Sequence, residues 1–412
     1  MTREQAIDAF NSNDLIGLGM EADAIRRKHH PENVVSYIID RNINYTNFCT
    51  EYCSFCAFYR PVGHKEGYIL PKEVIFQKIQ ETIDLGGTGI LMQGGLHPEL
   101  KIEWYEDLLR SIKAKFDIWC HCFSSPEILN IAQVSGISIK ETLLRLRDAG
   151  LDSLPGGGAE ILDNDVRHRI ARLKCTVDEW VDVHRTAHEI GMRSTATMMF
   201  GTGETIEQRM NHLDVVRRLQ EETGGFTAFI PWFFQRELTS LGRFVKEEAT
   251  AVEYLKMLAL SRVYLENIVN IQTSWVTPGL KTCQIGLRFG GNDVGSIMIE
   301  ENVVSAAGTH HAATEEELRR LIRDAGFVPK QRDTLYRTYF LLTDGLFQAY
   351  RLREQDVVLE MDVLVEVVFE LLERLVQGAI AHAGFRRRRV IRRQPAQRLQ
   401  EFPCVLVLLK HA

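Results

Sequence analysis

Eight short β-rich runs, over 34–39, 88–93, 117–123, 151–155, 193–200, 226–231, 269–275 and 294–299, alternate along the chain with segments that open like helices. Ser124-Ser-Pro-Glu127, Ser138-Ile-Lys-Glu141, Thr176-Val-Asp-Glu179 and Thr205-Ile-Glu-Gln208 each place a hydroxyl three residues before a carboxyl or amide, the pattern that satisfies free N–H groups at a helix start. Apolar residues at helical spacing follow, as in Trp180, Val183, Ala187 and Ile190. Strand–helix alternation without a pause predicts an α/β fold with a parallel sheet, and eight such units predict a (β/α)8 barrel rather than a doubly wound sheet. The barrel is expected over 34–310, after a polar helical lead-in at 1–33. A helix capped by Thr314-Glu-Glu-Glu317 is expected within 311–340, and a tail of different texture over 341–412. In that tail Glu354 to Glu373 is acidic and rich in Val and Leu, whereas Arg386–Arg389 and Arg392-Arg393 form a basic run of the kind that usually marks a solvated segment.

Composition matters here for what it excludes. A net charge of -6 does not suit a protein that grips a phosphate backbone, and no nucleic-acid partner is expected. No window approaches the length of apolar chain that spans a bilayer, and the first residues lack the apolar core of a signal peptide, so no membrane span and a cytoplasmic location are expected. In such a compartment thiols are more often metal ligands or small buried residues than disulfides.

Three of the thiols lie within eight residues, in Asn44-Tyr-Thr-Asn-Phe-Cys49-Thr-Glu-Tyr-Cys53-Ser-Phe-Cys56-Ala-Phe-Tyr-Arg60. This loop follows the first strand, on the barrel face where strand-to-helix loops build active sites. Buried structural cysteines have no reason to cluster in an aromatic-rich loop, which leaves a metal. Zinc completed by His64 is one reading, although Cys120, Cys122, Cys175, Cys283 and Cys404 supply no second paired-cysteine knuckle. A 4Fe-4S cluster is the other: three protein thiolates leave one iron open for chemistry.

The spacing Cys49-x3-Cys53-x2-Cys56, with Phe55 just before the last cysteine, resembles that of the radical S-adenosylmethionine enzymes. The resemblance implies a 4Fe-4S cluster on Cys49, Cys53 and Cys56, with S-adenosylmethionine chelating the open iron and cleaved to a 5′-deoxyadenosyl radical. It also implies Phe55 beside the adenine, Gly94 and Gly95 of Gln93-Gly-Gly-Leu-His97 at the amino group, and Glu160 of Pro155-Gly-Gly-Gly-Ala-Glu160 at the ribose. Arg167 is expected near the methionine carboxylate, and Ser124, His121 and Glu127 stand as further candidates at the end of the third strand. An external one-electron donor such as flavodoxin or ferredoxin is implied as a partner.

Within that family the strings Gly225-Phe-Thr-Ala-Phe-Ile-Pro-Trp232, Asn270-Ile-Gln-Thr-Ser-Trp275-Val-Thr and Gly295-Ser-Ile-Met-Ile-Glu-Glu-Asn302-Val-Val are similar to those of the dehypoxanthine futalosine cyclases of menaquinone biosynthesis. The implied substrate is dehypoxanthine futalosine. Sister synthases, making aminofutalosine or the deazaflavin precursor, are the alternatives, with a non-catalytic zinc-stabilised barrel from a different class. His97, Asp293 and Glu300 are candidate bases for the proton lost when the aromatic ring is restored, and Trp232 and Trp275 candidate walls for that ring.

Overall fold

The computed structural model describes residues 1–309 and 311–337; the expectations for the 341–412 tail lie outside these residues. Val34–Ile38 (β1) and Asp40–Ile43 (β2) form one strand interrupted at Ile39. Seven strands follow around the ring: Gly89–Met92 (β3), Trp119–Cys122 (β4), Ser153–Leu154 (β5), Arg193–Phe200 (β6), Phe226–Phe233 (β7), Asn270–Ile271 (β8) and Asp293–Ser296 (β9). The order β2-β3-β4-β5-β6-β7-β8 is parallel throughout, and β9 pairs in parallel with β1. The remaining gap is bridged where the Asn292 N–H donates to Ile271 O at 3.0 Å and the Thr273 N–H to Asp293 O at 2.8 Å. The circuit is the expected (β/α)8 barrel, with β5 and β8 far shorter than their sequence runs. One further strand, Val328–Gln331 (β10), pairs with β1 below the barrel, where a helix alone was expected over 311–340.

Strand alternation sorts side chains between two environments. In β4, Cys120 and Cys122 are fully buried against the helical layer while Trp119 and His121 keep some exposure. The two thiols therefore pack as small apolar groups. The helix starts behave as their sequences predict: Ser124, Thr176, Thr205 and Thr314 each close a reciprocal capping box, and Ser138 accepts from the Glu141 N–H. The helix Ala251–Tyr264 is buried over ten of its residues. Apolar on most of its circumference, it needs cover on both sides. The lead-in helix Leu15–His29, with Leu18, Ala22 and Ile25 in the same core, supplies it. No helix among the described residues is long and apolar enough to cross a membrane.

Candidate active site

The cysteine loop runs from the end of β2 across the mouth of the barrel and is tied down at several points. Cys49 N–H donates to Arg60 O at 3.0 Å, Arg60 N–H to Asn47 O at 2.7 Å, and Thr50 N–H to Leu96 O at 3.2 Å. Ser54 is fastened through both N–H and Oγ to Ile170 O, at 2.9 and 2.7 Å. Gly95 makes the close approach possible, since a Cβ there would stand 2.1 Å from Phe48 O and 2.8 Å from the Cys49 Cβ. Cys49 and Cys53 are buried, Cys56 reaches further toward solvent, and none of the three is in a disulfide. Burial pushes the Cys49 and Cys53 thiols up, so their thiolate forms require a cation beside them. Among the described residues no three Cys, His, Asp or Glu side chains gather around one point as a single ion requires. The thiolates of a cubane each take a different iron and stand farther apart. His64 lines an open groove of about 990 Å³ beside Cys56, where its Nδ1 accepts from the Glu66 N–H at 3.2 Å.

Next to Cys53 lies a buried ionic cluster. Lys174 donates to Glu160 Oε1 at 2.8 Å, and its Nζ stands 5.3 Å from the centre of the Phe55 ring. Burial works against the Lys174 charge, but Glu160, and Cys53 in its thiolate form, hold the ammonium protonated. Glu160 sits in the left-handed region at φ 39° and leaves Oε2 buried without a hydrogen-bond partner. A carboxylate oxygen without a hydrogen bond, on a strained backbone at a cavity edge, is poised for a ligand donor such as a ribose hydroxyl. Arg167 is placed differently from the expectation. Its guanidinium donates to Ala159 O at 2.7 Å, Gly158 O at 3.1 Å and Cys175 O at 2.7 Å, with Glu160 Oε2 at 3.7 Å. Arg167 thus positions the glycine loop and Glu160 rather than reaching a methionine carboxylate.

Ser124 and Glu127 likewise form a support. Glu127 accepts from the Ser124 N–H at 2.8 Å, from its hydroxyl at 2.6 Å, from the Gly94 N–H at 2.9 Å and from the Tyr45 hydroxyl at 2.8 Å. With Gly94 N–H committed there, and Gly95 N–H to Thr46 O, what these glycines offer a ligand is carbonyl oxygen, the partner an ammonium group needs.

The barrel interior holds a cavity of about 330 Å³. Asp40, Asn42, His121, Glu160, Thr197 and Gln272 line it, and Trp232 and Trp275 are both in its wall. Asn42 Oδ1 is buried without a partner, a second acceptor waiting for a ligand. Arg332 and Tyr336, from the segment after β10, complete the floor.

None of the three bases expected from sequence faces this cavity with a free group. His97 is packed edge-on against Phe48, with Nδ1 accepting from the Glu99 N–H, and burial lowers its pKa. Asp293 is fully buried below the floor, gripped by Arg332 Nε at 2.5 Å and Nη2 at 2.9 Å and by the Ser36 hydroxyl at 2.6 Å. Glu300 lies on the helix side of β2, bound to Arg41 at 2.8 Å and Lys78 at 2.5 Å. Burial pushes its carboxyl up, but Lys78, Asn302 and Arg41 together hold it below its ordinary value. Sequence reasoning missed Asp40, Asn42 and Lys174. Period-two alternation through Asp40-Arg-Asn42-Ile43 carries a signal for the first two, because it sets 40 and 42 on the face opposite Arg41 and Ile43.

Residues 43–216 match the radical SAM superfamily and residues 223–343 the CofH/MqnC C-terminal region. A cyclic dehypoxanthine futalosine synthase of Halalkalibacterium halodurans is 51% identical over 337 residues, 82% of this chain and 90% of that protein. One of Streptomyces coelicolor is 44% identical over 341 residues, 82% and 85% of the two chains. A 5-amino-6-(D-ribitylamino)uracil--L-tyrosine 4-hydroxyphenyl transferase of Methanothermobacter thermautotrophicus is 41% identical over 345 residues, 82% and 94%. Among solved structures, methylornithine synthase (PylB) superposes with a TM-score of 0.61 at 20% identity, covering 80% of this chain and 94% of that one. The hydrogenase maturase HydG gives 0.64 at 14%, covering 82% and 73%. The structural likenesses speak to the fold. Sequence similarity carried through both the barrel and the segment that seals its floor makes the chain an enzyme of the radical S-adenosylmethionine superfamily, in its CofH/MqnC branch, where a 4Fe-4S cluster and S-adenosylmethionine are the cofactors.

Proposed function

We propose that the chain is a dehypoxanthine futalosine cyclase of menaquinone biosynthesis, with Cys49, Cys53 and Cys56 as the cluster ligands. The observation that carries this reading is the 51% identity to a protein named for that activity, over 90% of its length. The strings that resemble those of the cyclases also reach the cavity wall through Trp232, Gln272, Trp275, Ser296 and Met298. When bound, the cluster and S-adenosylmethionine supply a 5′-deoxyadenosyl radical at the barrel mouth, and an external one-electron donor such as flavodoxin or ferredoxin supplies the electron. Glu160, Phe55 and the Gly94-Gly95 carbonyls hold S-adenosylmethionine. The cavity holds one molecule carrying both a ribose and an aromatic ring, so that the C4′ radical left by hydrogen abstraction meets the ring within about 3.5 Å and closes the spiro ring. Trp232 and Trp275 flank the aromatic ring and keep water and stray hydrogen donors from the radical.

The relative of Methanothermobacter thermautotrophicus, at 41% identity, is named as a 4-hydroxyphenyl transferase of tyrosine and 5-amino-6-(D-ribitylamino)uracil and supplies the second reading. Anaerobic incubation of reconstituted enzyme with S-adenosylmethionine and dithionite, in parallel with dehypoxanthine futalosine and with tyrosine plus 5-amino-6-(D-ribitylamino)uracil, separates the two by mass spectrometry. Cyclised product from the first mixture alone is the expected result.

A further inference from the structure

We propose that Asp40, on the cavity face of β2, is the base that takes the ring proton in the last step of cyclisation. This rests on the cyclase reading above and names a residue for it. Closure of C4′ onto the aromatic carbon leaves a cyclohexadienyl-type radical that still bears the ring hydrogen. Restoring aromaticity breaks that C–H bond: one electron passes to a one-electron acceptor of the oxidised iron–sulfur class, and the proton passes to a base in the cavity.

The described cavity wall offers few groups for this. Glu160 is bound through Oε1 to Lys174 at 2.8 Å, and its Oε2 is the oxygen assigned above to S-adenosylmethionine. Arg332 is a cation bound to Asp293, and burial raises the Tyr336 phenol far above neutrality. His121 is held by Ser153 Oγ at 2.7 Å, and burial, with Arg332 nearby, pushes its imidazole down to about 3, too weak to keep a proton at neutral pH. Asp40 remains. Its carboxyl opens on the cavity yet lies deep in the barrel, and burial pushes it up to about 6 while the Ser296 hydrogen bond and Arg332 hold it from rising further and Asp293 adds repulsion. A base of that strength is ionised at neutral pH and retains a captured proton long enough to pass it on. Asp40 also stands about 10 Å of strand below the start of the cysteine loop, with Asn42, whose Oδ1 lacks a partner, between. A substrate with its ribose at the mouth therefore points its ring toward Asp40.

Asp40→Asn preserves shape and removes basicity. In the full-length reconstituted enzyme with S-adenosylmethionine, dithionite and dehypoxanthine futalosine, this variant should load iron and still form 5′-deoxyadenosine in a single turnover. Cyclised product should fall by about 100-fold or more, with an organic radical accumulating in frozen samples by electron paramagnetic resonance. Asp40→Glu should recover part of the product. Product at the wild-type rate from Asp40→Asn overturns the assignment, as does loss of 5′-deoxyadenosine with iron intact. Should Asp40→Asn fail to load iron, Ser296→Ala carries the test. Removing that hydroxyl should move the acidic limb of the cyclisation pH profile upward, and an unmoved limb overturns the proposal. Wild-type enzyme that makes no cyclised product at all removes the cyclase reading itself, a failure seen before any variant is tested.

Discussion

Replacing Asp293 by asparagine tests whether the floor of the barrel is held by the ion pair found there. Asp293 is fully buried and Arg332 nearly so, and the carboxylate receives two guanidinium bonds, at 2.5 and 2.9 Å, besides the Ser36 hydroxyl and the Gly295 N–H. Asparagine offers one acceptor oxygen, turns an NH2 toward a guanidinium that can only donate, and leaves the Arg332 charge uncompensated inside the protein. Breaking a buried pair from one side costs about 3–5 kcal/mol. With an unfolding entropy of about 2.1 cal/mol/K per residue over roughly 340 residues, that loss lowers Tm by about 4–7 °C. The assay is scanning calorimetry of the apo-protein at pH 7 and one scan rate. Removing both charges, as Asp293→Leu with Arg332→Met, should be less destabilising than the sum of the single changes, because neither partner is then left unpaired. A Tm within about 1 °C of wild type for Asp293→Asn, or strict additivity in the double variant, would mean that the ion pair does not hold the floor.

Alanine at Cys49, Cys53 or Cys56 should each abolish iron loading, whereas alanine at Cys120, Cys122 or Cys283, which are buried elsewhere, should leave iron content unchanged; elemental analysis after anaerobic reconstitution reads both. Gly95→Ala should also lose iron, since its Cβ would overlap Phe48 O at 2.1 Å and displace the cysteine loop. Glu160→Gln should retain iron but weaken S-adenosylmethionine binding by about 10–100-fold, the value of a charged hydrogen bond, as measured by calorimetry. His121 and His212 have folded pKa values pushed down to about 3 by burial, below the unfolded value of about 6.5. Their stabilising contribution is thus present above pH 6.5 and is lost as pH falls toward 3; near pH 5 these two imidazoles should add about 2.7 kcal/mol per pH unit to the slope of stability, read from denaturant titrations.

Much of this was legible because local chemistry repeats. The capping hydroxyls at Ser124, Thr176, Thr205 and Thr314 act on neighbours three residues away, so the sequence displays both partners. The cysteine loop is a local pattern for the same reason. What was hidden depends on partners far apart in the chain. β10 carries Pro329 and little apolar alternation, and it exists because β1 offers a free edge. Asp293 looked like a base until Arg332, 39 residues on, was found to grip it, and Glu300 until Arg41, 259 residues away, did the same. Ending the first strand at residue 39 concealed Asp40 and Asn42, because the bend at Ile39 restarts the alternation that brings them inward.

The most direct measurement follows deuterium from substrate to cofactor product. Reconstituted enzyme is incubated anaerobically with S-adenosylmethionine, dithionite and dehypoxanthine futalosine deuterated at ribose C4′. Hydrogen abstraction from C4′ should give singly deuterated 5′-deoxyadenosine together with a cyclised product that has lost the label. Undeuterated 5′-deoxyadenosine, or efficient turnover of tyrosine with the pyrimidine acceptor and none of dehypoxanthine futalosine, would contradict it.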